Sequence, residues 1–135
     1  PVPTRRSSDL NRDESQKYKT LFPAMVKDWR NRWGIGDFPF YYAQRAPFNY
    51  GGNDKFEVAD NSAFIREVQL QCVDLIPNSG VAITMDIGEQ YCIHPAKKKE
   101  VADRLLFNAL NKTYGYKTID FSGPIFNSKE NKDWG

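Results

Sequence analysis

"VAITMDIGEQYCIHPAKKKEVADRLLFNAL", residues 81–110, holds the only histidine of the chain and decides how the rest is read. Val81 to Ile87 is an apolar, β-rich run interrupted near its end by Asp86, which predicts a strand over 81–87 buried on both faces. From about Ala96 to Tyr114 the spacing predicts a helix. Val101, Leu105, Leu106 and Ala109 mark its inner face, and Gly115 ends it. His94 therefore falls on the loop that leaves a strand and enters a helix. In open parallel sheets, ligands bind beyond the carboxyl ends of the strands. The positive end of a following helix favours a neutral imidazole, the form that can accept a proton. A lone loop histidine can equally be a solvated, inert residue, and position leaves both readings open. Cys92 is a rival nucleophile, but a cysteine two residues from a histidine rarely presents its sulfur to the ring.

Upstream, "YKTLFPAMVKDWRNRWG", residues 18–34, places Leu21, Met25 and Trp29 four apart, with Phe22, Val26 and Trp33 beside them. That pattern predicts an amphipathic helix with a wide apolar stripe. Pro23 fits best in its first turn, so any helix over 14–21 should kink or break there, and Gly34 and Gly36 stop it. "FPFYYAQRAPF", residues 38–48, predicts a short buried strand at Phe40 to Ala43. Residues 49–61 are rich in turn formers and read as a surface loop. Asn61 or Ser62 can cap a helix whose apolar face is Phe64, Ile65, Val68 and Cys72. "IPNSG", residues 76–80, is a turn, and a further strand is expected at Thr118–Phe121. The order helix, strand, helix, strand, helix implies an α/β fold with parallel strands and helices on the faces. Two core strands make a small sheet, so more strands are expected on the N-terminal side.

Composition excludes several classes. The 135 residues carry 19 basic and 17 acidic side chains, too balanced to argue for nucleic acid. Lys97, Lys98 and Lys99 are followed at once by Glu100 and read as a solvated helix face. No apolar run approaches the ~20 residues of a membrane span. Two cysteines are too few to indicate a disulfide framework or a zinc site. Residues 1–10 are polar, basic and aperiodic and read as disordered. "PTRRSSDL" reads like one frame of a DNA-sequencing adapter in translation, which makes an artefactual N-terminus the expectation.

"GDFPFYYAQRAPFNYGG", "AFIREVQLQ", "ITMDIGEQYCIHPAKKKEVADRL" and "NALNKTYG" together resemble the sialate O-acetylesterase family, a branch of the SGNH or GDSL-type serine esterases. The resemblance runs in order from about Asn11 to Phe126. It implies a flavodoxin-like α/β/α sandwich, here partial and lacking its N-terminal part. Residues 11–117 would be the C-terminal part of the esterase domain, and 118–135 a tail or the start of a β-rich region. It implies hydrolysis of O-acetyl esters on sugars, on sialic acids or acetylated plant polysaccharides, with no metal or organic cofactor. The histidine of the family's "IHP" string is the general base and matches His94.

Relatives in the wider group orient that histidine with an aspartate three residues earlier, where this chain has Tyr91. Asp86 is the nearby acid that could serve, and a Ser–His dyad is the other arrangement. The family's nucleophilic serine lies in a "GQSN"-like block that this chain does not contain. Asn11 sits at about the distance expected of the family's oxyanion-hole asparagine. Gln44, Arg45 and Tyr50 follow the first strand and could line a sugar pocket. The compartment is not written in these residues, a secreted or periplasmic parent protein being the expectation. The other reading is a carbohydrate-binding or interaction module that keeps the fold without the chemistry. A sheet lacking neighbours also leads us to expect self-association of this piece alone.

Overall fold

The computed structural model describes residues 12–48 and 62–125. The residues expected to form a disordered start, the loop over 49–61 and the end of the tail lie outside them. The elements are α1 (Arg12–Trp33), β1 (Phe40–Ala43), α2 (Ser62–Leu75), β2 (Ser79–Ala82) and α3 (Lys98–Lys112). The alternation read from the sequence is the order observed.

Tyr18, Phe22, Val26 and Arg30 stand four apart on α1, and this row faces inward. Val26 is fully buried and Arg30 nearly so. Leu21 and Trp33, placed on the inner stripe by the sequence, are instead largely exposed. The true stripe is rotated by one position because Phe22 stacks with Tyr18 and meets Tyr42 edge-on at 4.9 Å. Pro23 lies in mid-helix and not in a first turn. Its missing N–H leaves the Lys19 carbonyl without its donor. The helix runs through because both flanks are anchored, before the proline by the Phe22 ring contacts and Lys19 Nζ donating to Gln71 Oε1 at 2.8 Å, and after it by the buried Val26 and Arg30. Gly34, at φ 66°, takes the left-handed conformation that ends the helix, its N–H bonding the Arg30 carbonyl.

β1 and β2 pair in parallel, Phe40 opposite Ser79 and Ala43 opposite Ala82. Tyr42 and Val81 point to the face covered by α1 and α2, where they meet Val26, Val68, Cys72 and Ile76. Side chains alternate along a strand, so Tyr41 points to the other face. There its hydroxyl bonds Thr113, just past α3, at 2.6 Å. The layers are thus two helices, a parallel sheet and one helix, an α/β/α arrangement. Arg30 ties the first layer to the strand entrances through the carbonyls of Phe38 and Pro77, at 2.6 and 2.8 Å.

Three further boundaries differ from expectation. β2 starts two residues early, after Asn78 turns the chain at φ 49°, and it stops at Ala82. From Ile83 the chain leaves the ladder, and Thr84 instead donates its hydroxyl to the Gln44 carbonyl at 2.7 Å. α3 starts at Lys98 and its buried side is polar, with Asn108 and Asn111 inside and Leu106 half-exposed. The physical reason is the strand edge beneath it. Arg104, Asn108 and Lys112, at i, i+4 and i+8, donate to the outward carbonyls of Ile83, Val81 and Ser79 in turn. Residues 118–121 form no strand; the Asn111 side chain takes up the Ile119 carbonyl at 2.8 Å. The three lysines before Glu100 are exposed, as expected of a solvated face. No helix among the described residues is long and apolar enough to cross a membrane.

Candidate active-site loop

The loops that follow the two strands meet at the carboxyl edge of the sheet. The Thr84–Gln44 bond makes the first link between them. Gly88 makes the second, with its Cα packed against the backbone of Pro47. A Cβ there would meet the Pro47 carbonyl oxygen, with the Pro47 nitrogen only 2.7 Å away. Backbone atoms cannot swing aside as a side-chain tip can. We expect Gly88→Ala to push the two loops apart at a cost of about 1–3 kcal/mol. The check is a lower urea midpoint together with faster amide exchange over 84–97.

His94 rides on the span between β2 and α3, and its side chain is exposed. Among the described residues its ring makes no hydrogen bond; the recorded bond at this residue is Cys92 Sγ to the His94 carbonyl at 3.2 Å. The span is closed by two carboxylates. Glu89 Oε1 accepts the Ala96 N–H at 2.6 Å, pinching the chain on either side of His94. Asp86 accepts both terminal nitrogens of Arg104 at 2.6 Å each, a bidentate pair at the root of the loop. Both Asp86 oxygens are therefore engaged by α3, and the structure does not bring this acid to the imidazole.

The Arg104 guanidinium holds the Asp86 carboxyl well below the usual range, at about 2. Because the folded value is depressed, the pair's stabilisation is complete above the unfolded value near 3.8 and is lost as pH falls toward 2. The carboxylate is solvent-accessible, so the effect is small. We expect the difference in urea midpoint between wild type and Asp86→Asn to stay constant from about pH 5 to 8 and to shrink below about pH 4. A difference that grew on acidification would contradict the pairing.

The other residues read as site candidates fall into two groups. Gln44 is buried, its side-chain amide donating to the Arg66 carbonyl at 3.0 Å and its backbone carbonyl accepting from Thr84. Arg45 is half-buried, and its N–H bonds Gln69 Oε1 at 2.9 Å. Both sit at the base of the site, tied to α2. Asn11 and Tyr50 lie outside the described residues. Among the described serines, Ser15, Ser62 and Ser79 are buried and Ser122 bonds the Gly123 carbonyl; none pairs with His94. Cys72 is buried and Cys92 exposed, both as free thiols. Arg104 and Gly88 drew no attention in the sequence. The signal for the first was the polar row Arg104–Asn108–Lys112 in an otherwise amphipathic helix.

No protein-family model matches the chain. The chain is 27% identical to mouse sialate O-acetylesterase, the match covering 88% of this chain and 24% of the relative. With the human sialate O-acetylesterase it is 29% identical over 80% of this chain and 23% of the relative. Among solved structures it resembles a carbohydrate acetylesterase from Xanthomonas citri at TM-score 0.71 and 35% identity, over 83% of this chain and 25% of that one. The chain spans about a quarter of the length of each of these three proteins. With its parallel α/β core and the motifs quoted above, the chain is similar to sialate O-acetylesterases over most of its own length.

Proposed function

We propose that this chain carries the general-base portion of a carbohydrate O-acetylesterase, with His94 as the base and a serine outside this chain as the nucleophile. The observation that supports it most is an exposed, uncommitted imidazole on a loop pinned at both ends, beyond the carboxyl edge of a parallel sheet. His94 accepts the proton of the serine hydroxyl as the oxygen attacks the acetyl carbonyl. The tetrahedral intermediate collapses, the sugar oxygen leaves with that proton, and acetyl-serine remains. Water, deprotonated by His94, then releases acetate. These steps call for no metal or organic cofactor. Since Asp86 is engaged by Arg104, the reading favours a Ser–His dyad over an Asp86-assisted triad.

The test extends the gene product upstream to include the serine block and measures acetate release from O-acetylated sialic acid and acetylated plant polysaccharide. Release that His94→Ala abolishes supports the reading. Glycan binding without acetate release would instead identify a binding module of the same fold.

A further inference from the structure

Loop residues hold catalytic geometry only when the backbone beneath them is fixed. The chain from Ile83 to Lys97 leaves the ladder at Ala82 and regains regular structure at Lys98. Among the described residues, Arg104 is the side chain of α3 that hydrogen-bonds the beginning of this span. Arg104 donates to the Ile83 carbonyl and to both oxygens of Asp86. It thereby short-circuits the loop, joining its root to the second turn of the helix that follows. Arg104 is itself mostly covered, with 29% of its side chain exposed, whereas Asp86 is 64% exposed. The guanidinium is thus the fixed partner and the loop carboxylate the held one. Glu89 and the Ala96 N–H then close the smaller loop that carries His94.

We propose that Arg104 is the positioning residue of the histidine loop, holding His94 where it can reach the hydroxyl of the serine. The proposal rests on the reading of His94 as general base. Its chemistry requires arginine. A planar fork satisfies two carboxylate oxygens and a carbonyl together, whereas lysine is a point charge without that planar fork. The charges around the pair are Lys97, which reinforces the hold on Asp86, and Glu100, which faces Arg104 from the preceding turn. Neither can replace the fork.

The test uses the upstream-extended protein. Arg104→Met should lower kcat by about 10- to 100-fold with KM within about 3-fold, because misplacing a proton acceptor affects the transition state and not uniform binding. Arg104→Lys should recover only part of the loss. Asp86→Asn removes the other half of the pair at an exposed position and should lower kcat in the same direction by less. Its effect should largely disappear in the Arg104→Met background, since the two share one interaction. In the same variants, amide exchange over 84–97 should quicken while α1 and α2 stay protected. Arg104→Met with wild-type kcat and unchanged exchange would overturn the proposal. So would full restoration by Arg104→Lys, which would show that charge suffices. If no variant and no wild-type protein releases acetate, the esterase reading fails. The exchange arm then decides separately whether Arg104 fixes the loop.

Discussion

His94→Ala should lower kcat of the upstream-extended protein by about 10³-fold or more while leaving the unfolding midpoint unchanged. The side chain is exposed and its ring makes no hydrogen bond among the described residues, so removing it costs the fold nothing. What it removes is the proton acceptor without which a serine hydroxyl is a weak nucleophile at neutral pH. Stability and activity are therefore expected to separate cleanly. Acetate release within a few-fold of wild type would show that another group takes the proton.

A smaller and differently shaped effect is expected at Asp86. Its loss loosens the loop, whereas loss of His94 removes the chemistry. Were Asp86→Asn as damaging as His94→Ala, the carboxylate would have to leave Arg104 and reach the ring during the reaction, as the third member of a triad.

What could be read from the sequence follows the range of the interactions involved. The element order was legible because apolar periodicity records which face is buried, and Ile65, Val68 and Cys72 are inside as their spacing requires, although Phe64, read on the same face, is exposed. The α/β class and the parallel strands were legible too, from the alternation of helical and strand patterns, and the resemblance to sialate O-acetylesterases from motifs spread along the chain. Element ends were less so. "IPNSG" reads as a turn, yet Ser79 and Gly80 belong to the strand, because turn formers also occur where the chain enters a ladder after a residue at positive φ. Pro23 reads as a break, yet tertiary anchoring of Phe22 and Lys19 carries the helix through it. The buried side of α3 was illegible for a different reason. Arg104, Asn108 and Lys112 answer backbone carbonyls, and a hydrophobic pattern carries no trace of backbone partners. The clamp on the histidine loop was missed on the same ground, since Asp86 and Arg104 lie 18 residues apart.

The same row of donors leads to the second large expectation: the 135-residue chain by itself should show no ester turnover above background, and it should self-associate. Turnover needs a nucleophile within reach of His94. Among the described residues no serine bonds it, and Ser62 and Ser79 are buried in the fold. Ser7, Ser8 and Ser128 lie outside the described residues and lack the glycine context of the family's block. Self-association follows from the two edges of the sheet, which are treated differently. The outward carbonyls of β2, those of Ser79 and Val81, are each taken by a side chain of α3, which closes that edge to a further strand. On β1, Phe40 and Gln44 turn their N–H groups to β2. Alternation then directs the backbone groups of Tyr41 and Ala43 outward, where no described strand pairs with them. An open edge of this kind recruits another chain. The expected result is concentration-dependent association in sedimentation, relieved by a Pro in place of Ala43, together with p-nitrophenyl acetate hydrolysis no faster than that of a His94→Ala control. Hydrolysis that depended on His94 would mean that this chain contains its own nucleophile, with Ser122 and Cys92 the exposed hydroxyl and thiol to replace first. A monomer at high concentration would mean that the β1 edge is covered by residues outside those described.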